Sequence, residues 1–223
     1  MNEKLACYAQ ILLRENATHN LTAITDPEEI RRKHFDDSLA LLRLAGARTA
    51  TEALGEQIAV LDVGAGAGFP GLPLAIARPG WRVALLESTE KKARFLETAA
   101  RELALPVRVV CARAETAAHN PALREQFDLV VARAVAALPL LCELCLPFVK
   151  PGGLFCAYKG TSEKTWAELA QAQRGIARLG GEDAGFLCET TEYGERTLVL
   201  CKKISRTPTN YPRNYGTMRK KSL

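Results

Sequence analysis

The chain has 223 residues, of which 48% are hydrophobic and 25% charged, a balance typical of one folded domain with modest additions. No apolar run reaches the roughly 18 residues that a membrane-spanning helix needs. The first ten residues, MNEKLACYAQ, lack the basic region and the apolar stretch of a secretion signal. The sequence therefore disfavours a membrane-spanning or secreted protein. We expect a cytoplasmic protein without a membrane partner.

Two helical patterns open the chain. Residues 4–14 carry apolar side chains three and four positions apart, namely Leu5, Tyr8, Ile11 and Leu12. After a turn-like segment, Thr25 or Asp26 can cap a second helix that has Pro27 in its first turn. We expect this helix to end at Gly46, because glycine is common just beyond a helix C-terminus.

From residue 58 onward, strand-like and helix-like segments alternate. Short apolar runs predict strands at 58–63, 81–87, 107–111, 127–132 and 153–159. Helical patterns lie between and after them, at 72–77, 90–103, 138–146 and 163–179. Alternation of this kind predicts a parallel sheet with helices on both faces.

The last part of the chain does not continue the alternation of strands and helices. Two strand-like runs, 186–190 and 196–202, are separated by TEYGE, which suits an antiparallel hairpin. We therefore predict the α/β fold class, with the Rossmann-like architecture of class I methyltransferases. Its mostly parallel seven-stranded sheet would end in an antiparallel hairpin. The single domain would comprise an N-terminal helical extension (1–50), a core (51–203) and a basic tail (204–223).

A glycine-rich segment, VLDVGAGAGFPG, begins in the first predicted strand. Gly64, Gly66 and Gly68 stand behind an aspartate in the D-x-G-x-G-x-G pattern of adenosylmethionine enzymes. The last three glycines, ending with Gly71, also satisfy G-x-G-x-x-G, which by itself is a weak sign of dinucleotide binding. Glycines at the carboxyl end of a strand let a ligand approach the backbone.

Two prolines help to separate these interpretations. A dinucleotide site offers free N–H groups at a helix N-terminus to a pyrophosphate. Pro70 and Pro73 stand at the start of the predicted helix and have no N–H group. S-adenosylmethionine carries no phosphate and tolerates this loss, and Asp62 could face its cationic methionine end directly or through water. The segment therefore favours adenosylmethionine as the cofactor.

Three downstream positions extend this hypothesis. Glu87 ends the second strand about 20 residues after the glycines, the spacing expected for a carboxylate that holds ribose hydroxyls. Ala114 and Glu115 follow the third strand, where a backbone N–H and a carboxylate match the edge of adenine. Arg133 follows the fourth predicted strand at the switch point of the sheet, so we expect it to face the reaction site.

Motifs that are missing from the sequence narrow the reaction. The segment after the fourth strand, ARAV, differs from the Asn/Asp-Pro-Pro-aromatic motif common in methylation of exocyclic amines. Carbon-5 methylation of pyrimidines needs a cysteine nucleophile, and this segment has none. A ring nitrogen such as guanine N7 needs neither, because its lone pair attacks the methyl group directly and no proton leaves. Alignment and electrostatics then suffice.

Cysteines and basic residues complete the inventory. The seven cysteines are odd in number, which favours reduced core residues over a disulfide framework. Cys142 and Cys145 lie in an apolar helix without a second ligand pair, so we expect packing rather than a metal site. The net charge of +5 depends on a stretch near the C-terminus that contains seven basic residues and no acid. This stretch is a candidate contact for a polyanion.

The chain resembles the bacterial 16S rRNA guanine-N7 methyltransferase family (RsmG, also called GidB). The matching segments are NLTAI at 20–24, HFDDSL at 34–39, DVGAGAGFPG at 62–71, RA at 133–134, YKG at 158–160 and YPR at 211–213. They cover nearly the whole chain, and the N-terminal segments and the FPG continuation are much more specific than the glycine pattern.

The resemblance implies methyl transfer from S-adenosyl-L-methionine to N7 of a guanosine in the 530 loop of 16S rRNA, at nucleotide 527. The partner would be 16S rRNA or the small ribosomal subunit during assembly, and we expect a monomer. The implied cofactor contacts are Gly64, Phe69, Ala114, Glu115 and Arg133. On the RNA side, the resemblance points to His34, Asp37, Ser38, Lys159 and Arg196.

Catalytic residues are not assigned by this reasoning, although Arg133, Lys159 and His34 are candidates. With an rRNA substrate, the basic tail becomes a phosphate-contacting segment in which Tyr211 and Tyr215 could stack on bases. Three alternatives stay open. They are a methyltransferase for a small molecule or protein, a nicotinamide-dependent oxidoreductase, and a non-catalytic RNA-binding module that keeps the cofactor fold.

Overall fold

Seven strands form one sheet in the order β3-β2-β1-β4-β5-β7-β6. The computed structural model describes residues 3–223, apart from the side chains of residues 18 and 19, so the first two residues of the predicted extension lie outside it. The strands are β1 Ala59–Val63, β2 Arg82–Glu87, β3 Arg108–Cys111, β4 Phe127–Arg133, β5 Val149–Lys159, β6 Gly181–Thr191 and β7 Gly194–Lys203. Strands β1 to β5 are parallel, whereas β7 pairs antiparallel with β5 and β6. The predicted sheet and its final hairpin are confirmed.

Helices cover both faces of this sheet. They are α1 Glu3–His19, α2 Pro27–Ile30, α3 Ala40–Arg43, α4 Ala45–Glu52, α5 Gly71–Ala77, α6 Glu90–Glu102, α7 Ala114–Ala117, α8 Leu138–Cys145, α9 Ser162–Arg178 and α10 Tyr215–Lys220. A π-helical turn, Arg31–Asp36, links α2 to α3, and a 3-10 turn, Leu146–Phe148, follows α8. Within the described residues, no helix combines the length and apolarity that a membrane crossing requires.

The hydrophobic core has one layer on each face of the sheet. Along β4, Leu129 and Val131 join the first layer, and Val130 and Ala132 join the second. This alternation follows from the two-residue repeat of a strand, and both of its faces are buried because helices cover them. The first layer is closed by the N-terminal helices with α5 and α6, and the second is closed by α8 and α9.

The second predicted helix of the N-terminal extension, expected to run on to Gly46, is divided into shorter pieces. Asp26 caps α2 as predicted, because its carboxylate accepts the N–H of Glu29 at 2.8 Å. The predicted end at Gly46 is wrong. The chain breaks earlier, at Leu44 (φ −66°, ψ 120°), and Gly46 lies inside α4. A Cβ atom on Gly46 would stand 3.0 Å from the side chain of Leu187, so the glycine lets the final hairpin pack on this helix.

The basic tail, residues 204–223, packs on the body of the protein. Tyr211 is only 8% exposed, and Arg213 forms an ion pair of 2.7 Å with the buried Glu143. Lys203, just before the tail, is fully buried. The predicted role in RNA contact is therefore wrong for Tyr211 and Lys203, because buried groups cannot reach a phosphate or a base, while the partly exposed Arg213 is held by Glu143. The basic side chains that stay exposed here are Lys202, Arg206, Arg219, Lys220 and Lys221.

The cysteines divide into two groups. Cys142 and Cys145 lie buried in α8, as the packing interpretation predicts, and Cys156 and Cys201 are also buried. Burial raises the pKa of the Cys145 thiol, which keeps it protonated. The expectation of core positions is wrong for three others, which are exposed, namely Cys7, Cys111 and Cys188.

Candidate active site

The glycine-rich loop connects β1 to α5. Gly64, Gly66 and Gly68 have φ angles of 71°, 58° and 91°, which residues with a Cβ atom rarely adopt. The N–H of Gly66 donates to Oε2 of Glu87 at 2.9 Å, and Oε1 of Glu87 accepts the N–H of Thr89 at 2.8 Å. Glu87 therefore ties the end of β2 to the loop through both of its carboxylate oxygens.

The start of α5 lacks the donors that a pyrophosphate would need. Pro70 and Pro73 have no N–H group. The N–H of Gly71 donates to Oδ2 of Asp62 at 2.8 Å, and the N–H of Leu72 donates to a carbonyl of the glycine loop. Every backbone donor from 70 to 73 is thus either missing or already used. This geometry disfavours a dinucleotide and suits a ligand without phosphate groups.

Asp62 is a fully buried carboxylate beside the glycine loop. Its Oδ2 accepts the N–H of Gly71, while its Oδ1 has no hydrogen-bond partner among the described residues. Burial raises the pKa of Asp62 to about 7, although the Gly71 hydrogen bond and the charge of Arg133 act in the opposite direction. A buried oxygen without a partner is costly, and a ligand ammonium group would satisfy it. Asp62 therefore fits the cationic methionine end of adenosylmethionine.

A cavity of about 210 Å³, here called the strand-end cavity, lies where β1, β2 and β3 end. Ligands of open α/β sheets bind at this edge. Its walls include three of the predicted cofactor positions, Gly64, Ala114 and Glu115. They also include three residues that the sequence analysis did not predict, Ser88, Val135 and Tyr215. A Cβ atom on Gly64 would come within 2.7 Å of the Val135 side chain, and the φ of 71° also favours glycine there. Ser88 follows Glu87 directly, whereas nothing in the sequence placed Tyr215 at this site.

Gly68 and Phe69 lie beneath the N-terminal helices. The hydroxyl of Tyr8 donates to the carbonyl of Ala67, and a Cβ atom on Gly68 would stand 2.6 Å from that hydroxyl. The Phe69 ring is buried, with its centroid 5.4 Å from the Tyr8 ring and 4.5 Å from the His34 ring. The helical extension therefore supports the loop from the side away from the strand-end cavity.

Arg133 joins the end of β4 to the helical extension. Its guanidinium donates to Oδ2 of Asp37 at 2.6 Å and to the carbonyl of Lys33 at 3.3 Å, and a further nitrogen lies 3.2 Å from Nδ1 of His34. The guanidinium carbon lies 5.1 Å from the centroid of the Phe69 ring. Arg133 thus contacts the glycine loop and the extension at once, as its predicted position at the switch point of the sheet suggests.

A second cavity of about 380 Å³, here called the polar cavity, opens beside Arg133. Its walls include His34, Asp37, Arg133, Ala134, Lys159 and Arg196. Ala134 has a φ of 57°, which is rare for a residue with a Cβ and often marks functional sites. Ala134 lines this cavity and the next residue, Val135, lines the strand-end cavity, so the two cavities flank the same short segment after β4.

His34 stands at the back of the polar cavity. Its Nε2 lies 2.9 Å from the hydroxyl of Thr22, and its ring stacks on Phe69. Burial and the nearby charge of Arg133 lower the pKa of His34 to about 4, so the imidazole is neutral at neutral pH. Ser38 is completely buried and donates to the carbonyl of His34. The expectation that Ser38 faces RNA is therefore wrong, because it is a packing residue.

The remaining cations of the polar cavity are held by carboxylates. One carboxylate oxygen of Asp37 forms the ion pair with Arg133. The other lies 3.0 Å from Nε of Arg196. Lys159 lies 2.6 Å from Glu168 and donates to the carbonyl of residue 136 at 3.2 Å. These side chains come from the helical extension, β4, β5, β7 and α9, and the fold brings them to one wall.

The sheet order and the terminal hairpin are those of class I methyltransferases, and the strand-end cavity lies where ligands bind in open α/β sheets. Fold and cavity together define the chain as a member of this class. More specifically, it belongs to the GidB family, rRNA small subunit methyltransferase G, whose profile matches residues 1–199.

Individual relatives agree with this family. The chain is 44% identical over 224 residues to the ribosomal RNA small subunit methyltransferase G of Desulfitobacterium hafniense, covering 99% of this chain and 89% of the relative. It is 42% identical to the protein of that name from Geobacillus kaustophilus, covering 97% and 88%. Among solved structures, the O-methyltransferase from Bacillus cereus in complex with SAH shares the fold. The TM-score is 0.59 at 18% identity, with 88% of this chain and 91% of that chain covered.

Proposed function

We propose that this protein transfers a methyl group from S-adenosyl-L-methionine to N7 of a guanosine in the 530 loop of 16S rRNA, at nucleotide 527. The observation that carries the proposal is that the consecutive residues 133–135, where β4 ends, line the two cavities in turn. A methyl donor held in the strand-end cavity would face an acceptor held in the polar cavity. Membership of the rRNA small subunit methyltransferase G family supports small-subunit rRNA as the acceptor.

The strand-end cavity and the glycine loop would hold the cofactor, which supplies an electrophilic methyl group when bound. The proposed contacts are Gly64, Gly66, Gly68, Phe69, Glu87, Ala114, Glu115 and Arg133. The N–H of Ala114 and the carboxylate of Glu115 would bind the edge of adenine. The carboxylate of Glu87 would accept hydrogen bonds from the ribose hydroxyls. The unpartnered oxygen of Asp62 would accept the ammonium group of the methionine end, which neutralises a buried charge.

For three of these residues, existing contacts limit which atoms could bind the cofactor. The ring of Phe69 is packed under the helical extension, so its contribution would come from its backbone. Arg133 is tied to Asp37, and its guanidinium would act at the border between the cavities rather than deep within one of them. Gly66 already donates to Glu87, so that hydrogen bond would be shared or exchanged when ribose binds.

The polar cavity would hold the guanine. Methylation at N7 uses a lone pair in the plane of the ring, so the protein must align the base rather than remove a proton. His34 is neutral at neutral pH and adds no repulsion as positive charge develops on the base. We propose Arg133, Lys159 and His34 as the candidates for contact with the base, with Lys159 donating to O6. Arg196 would face the RNA backbone from the rim of the same cavity.

Each part of the chain then has a task. The extension, residues 1–50, would form one wall of the polar cavity through His34 and Asp37, and the core, residues 51–203, would hold the cofactor. The tail, residues 204–223, would complete the domain. We propose that the protein acts as a monomer in the cytoplasm, on rRNA or on a small subunit during assembly.

Mapping of the methylated nucleotide tests this function. Purified protein, labelled methyl donor and small subunits that lack the modification should give one labelled guanosine per 16S rRNA, located at N7 in the 530 loop by mass spectrometry. Gly64→Asp and Arg133→Ala should abolish the label, while Arg94→Ala, at an exposed ion pair that lines neither cavity, should not. Label in another nucleotide, a protein or a small molecule would contradict the proposal. Binding of NAD or of rRNA without any transfer would equally contradict it.

A further inference from the structure

Tyr215 lies at the strand-end cavity, a position that its place in the basic tail did not indicate. Its half-buried ring borders the strand-end cavity next to Arg113, Ala114 and Glu115, the residues that follow β3. The guanidinium carbon of Arg113 lies 5.0 Å from the centroid of the Tyr215 ring, a cation–π contact. The C-terminal helix therefore supplies an aromatic wall at the end of the cavity where adenine is proposed to bind.

The segment that carries Tyr215 is anchored before it reaches the cavity. The backbone N–H of Arg213 donates to Oε1 of Glu143 at 2.8 Å, and its guanidinium donates to both oxygens of this carboxylate, at 2.9 and 2.7 Å. Glu143 is only 1% exposed, so this anchor lies in the protein interior. Such a charged and nearly buried pair has a defined geometry, which limits where the next residues can go.

Anchors on both sides of Tyr215 hold α10 in place. Asn214 caps the helix by accepting the N–H of Thr217 at 2.9 Å. On the far side, Met218 is buried in the core layer of α8 and α9, and Leu223 lies where a Cβ atom on Gly175 would be 3.1 Å away. The ring of Tyr215 is therefore presented to the cavity by a fixed piece of structure.

We propose that Tyr215 is a binding residue for the adenine ring and that the tail completes the cofactor site. The inference rests on the proposed position of the cofactor in the strand-end cavity. Adenine is flat and aromatic, and a tyrosine ring at the cavity wall gives it a stacking or edge contact in place of water. The backing by Arg113 limits the rotation of the ring, so less side-chain freedom is lost on binding.

Calorimetric titration with two ligands tests the inference. S-adenosylhomocysteine carries both halves of the cofactor, and 5′-methylthioadenosine carries only the adenosine half. Tyr215→Ala should raise the Kd of both ligands by the same factor, about tenfold, which is the effect typical of losing one stacked aromatic ring. Tyr215→Phe, which keeps the ring, should stay within about twofold of the parent protein.

Two further variants make the result specific. Arg219→Ala removes an exposed cation from the same helix without touching the cavity, and it should leave both Kd values unchanged. Tyr215→Leu keeps an apolar side chain but no flat ring, so it should also raise the Kd of both ligands. It takes the place of Tyr215→Ala if that variant is unstable. Thermal unfolding of each variant checks that the tail stays docked.

The outcomes separate the inference from the proposed function. If the parent protein binds S-adenosylhomocysteine and both Tyr215→Ala and Tyr215→Leu bind it equally well, Tyr215 is not part of the site and the inference is overturned. A loss of affinity for S-adenosylhomocysteine without a loss for 5′-methylthioadenosine would overturn the adenine assignment. If the parent protein binds neither ligand, the proposed function fails, and the inference fails with it.

Discussion

The guanidinium of Arg133 and the carboxylate of Asp37 lie 2.6 Å apart, although 96 residues separate them in the chain. Their side chains are only 15% and 11% exposed. The pair joins the carboxyl end of β4, which borders both cavities, to the helical extension that forms a wall of the polar cavity. The same ion pair therefore holds the extension on the core and fixes one wall of the site.

Breaking this ion pair should destabilise the protein and remove activity. We expect Arg133→Ala to cost about 3 kcal/mol in the free energy of unfolding, because it leaves a nearly buried carboxylate with Arg196 as its remaining partner. Urea unfolding measures this cost. Arg94→Ala breaks an exposed pair with Glu90 and should cost less than about 0.5 kcal/mol. Equal costs for the two variants would show that the Arg133–Asp37 pair is not structural.

Asp62 should impose a pH dependence on stability. Its pKa is about 7 in the folded protein, raised from 3.8 by burial. Between these values the folded protein holds a proton that the unfolded chain has lost, so stability falls as pH rises through this window. Relative to Asp62→Asn, the parent protein should lose about 2–4 kcal/mol between pH 4 and pH 7 and little above pH 8.

Urea unfolding of both proteins at several pH values measures this difference. His34 acts with the opposite sign, because its pKa is lowered to about 4 and protonation below pH 6.5 favours unfolding. Subtracting the Asp62→Asn curve cancels the contribution of His34, which both proteins share. A stability difference that is constant from pH 4 to pH 8 would contradict the raised pKa of Asp62.

Gly68 and Gly152 allow a matched test of the glycine loop. Their φ angles are 91° and 90°, so an added Cβ meets the same backbone strain at both. At Gly152 it would meet nothing within 4 Å, whereas at Gly68 it would stand 2.5 Å from Leu72 and 2.6 Å from the Tyr8 hydroxyl. We expect Gly68→Ala to cost about 2 kcal/mol more than Gly152→Ala in unfolding free energy. Equal costs would mean that neither Leu72 nor Tyr8 packs closely against Gly68.

The anchor of the tail should behave as a buried ion pair. Arg213→Ala strands the carboxylate of Glu143, which is 1% exposed, and should cost about 3 kcal/mol. A double variant, Arg213→Met with Glu143→Leu, removes both charges and should recover most of this loss. Denaturant unfolding of the single and double variants compares them. A double variant as unstable as Arg213→Ala would indicate that packing, rather than the stranded charge, sets the cost.

Much of this protein was determined by local sequence. The strands and helices of the core follow from apolar runs and three- to four-residue periodicities, and Asp26 caps α2 because a carboxylate can reach the N–H three residues on. The missing donors at α5 follow from Pro70 and Pro73 alone, since no fold can supply an N–H group to proline. These features depend on neighbours in the chain, so the sequence suffices to predict them.

Tertiary structure alone decided the rest, because those features depend on residues that are distant in the chain. Gly46 lies within a helix, where its missing Cβ leaves space for Leu187 on the final hairpin. The tail is docked because Glu143 lies in the interior and binds Arg213, which the uniform basic charge of the tail does not reveal. The wall that Tyr215 adds to the strand-end cavity follows from this docking. Local patterns set the elements, while buried charge and close packing between distant residues set the walls of the site.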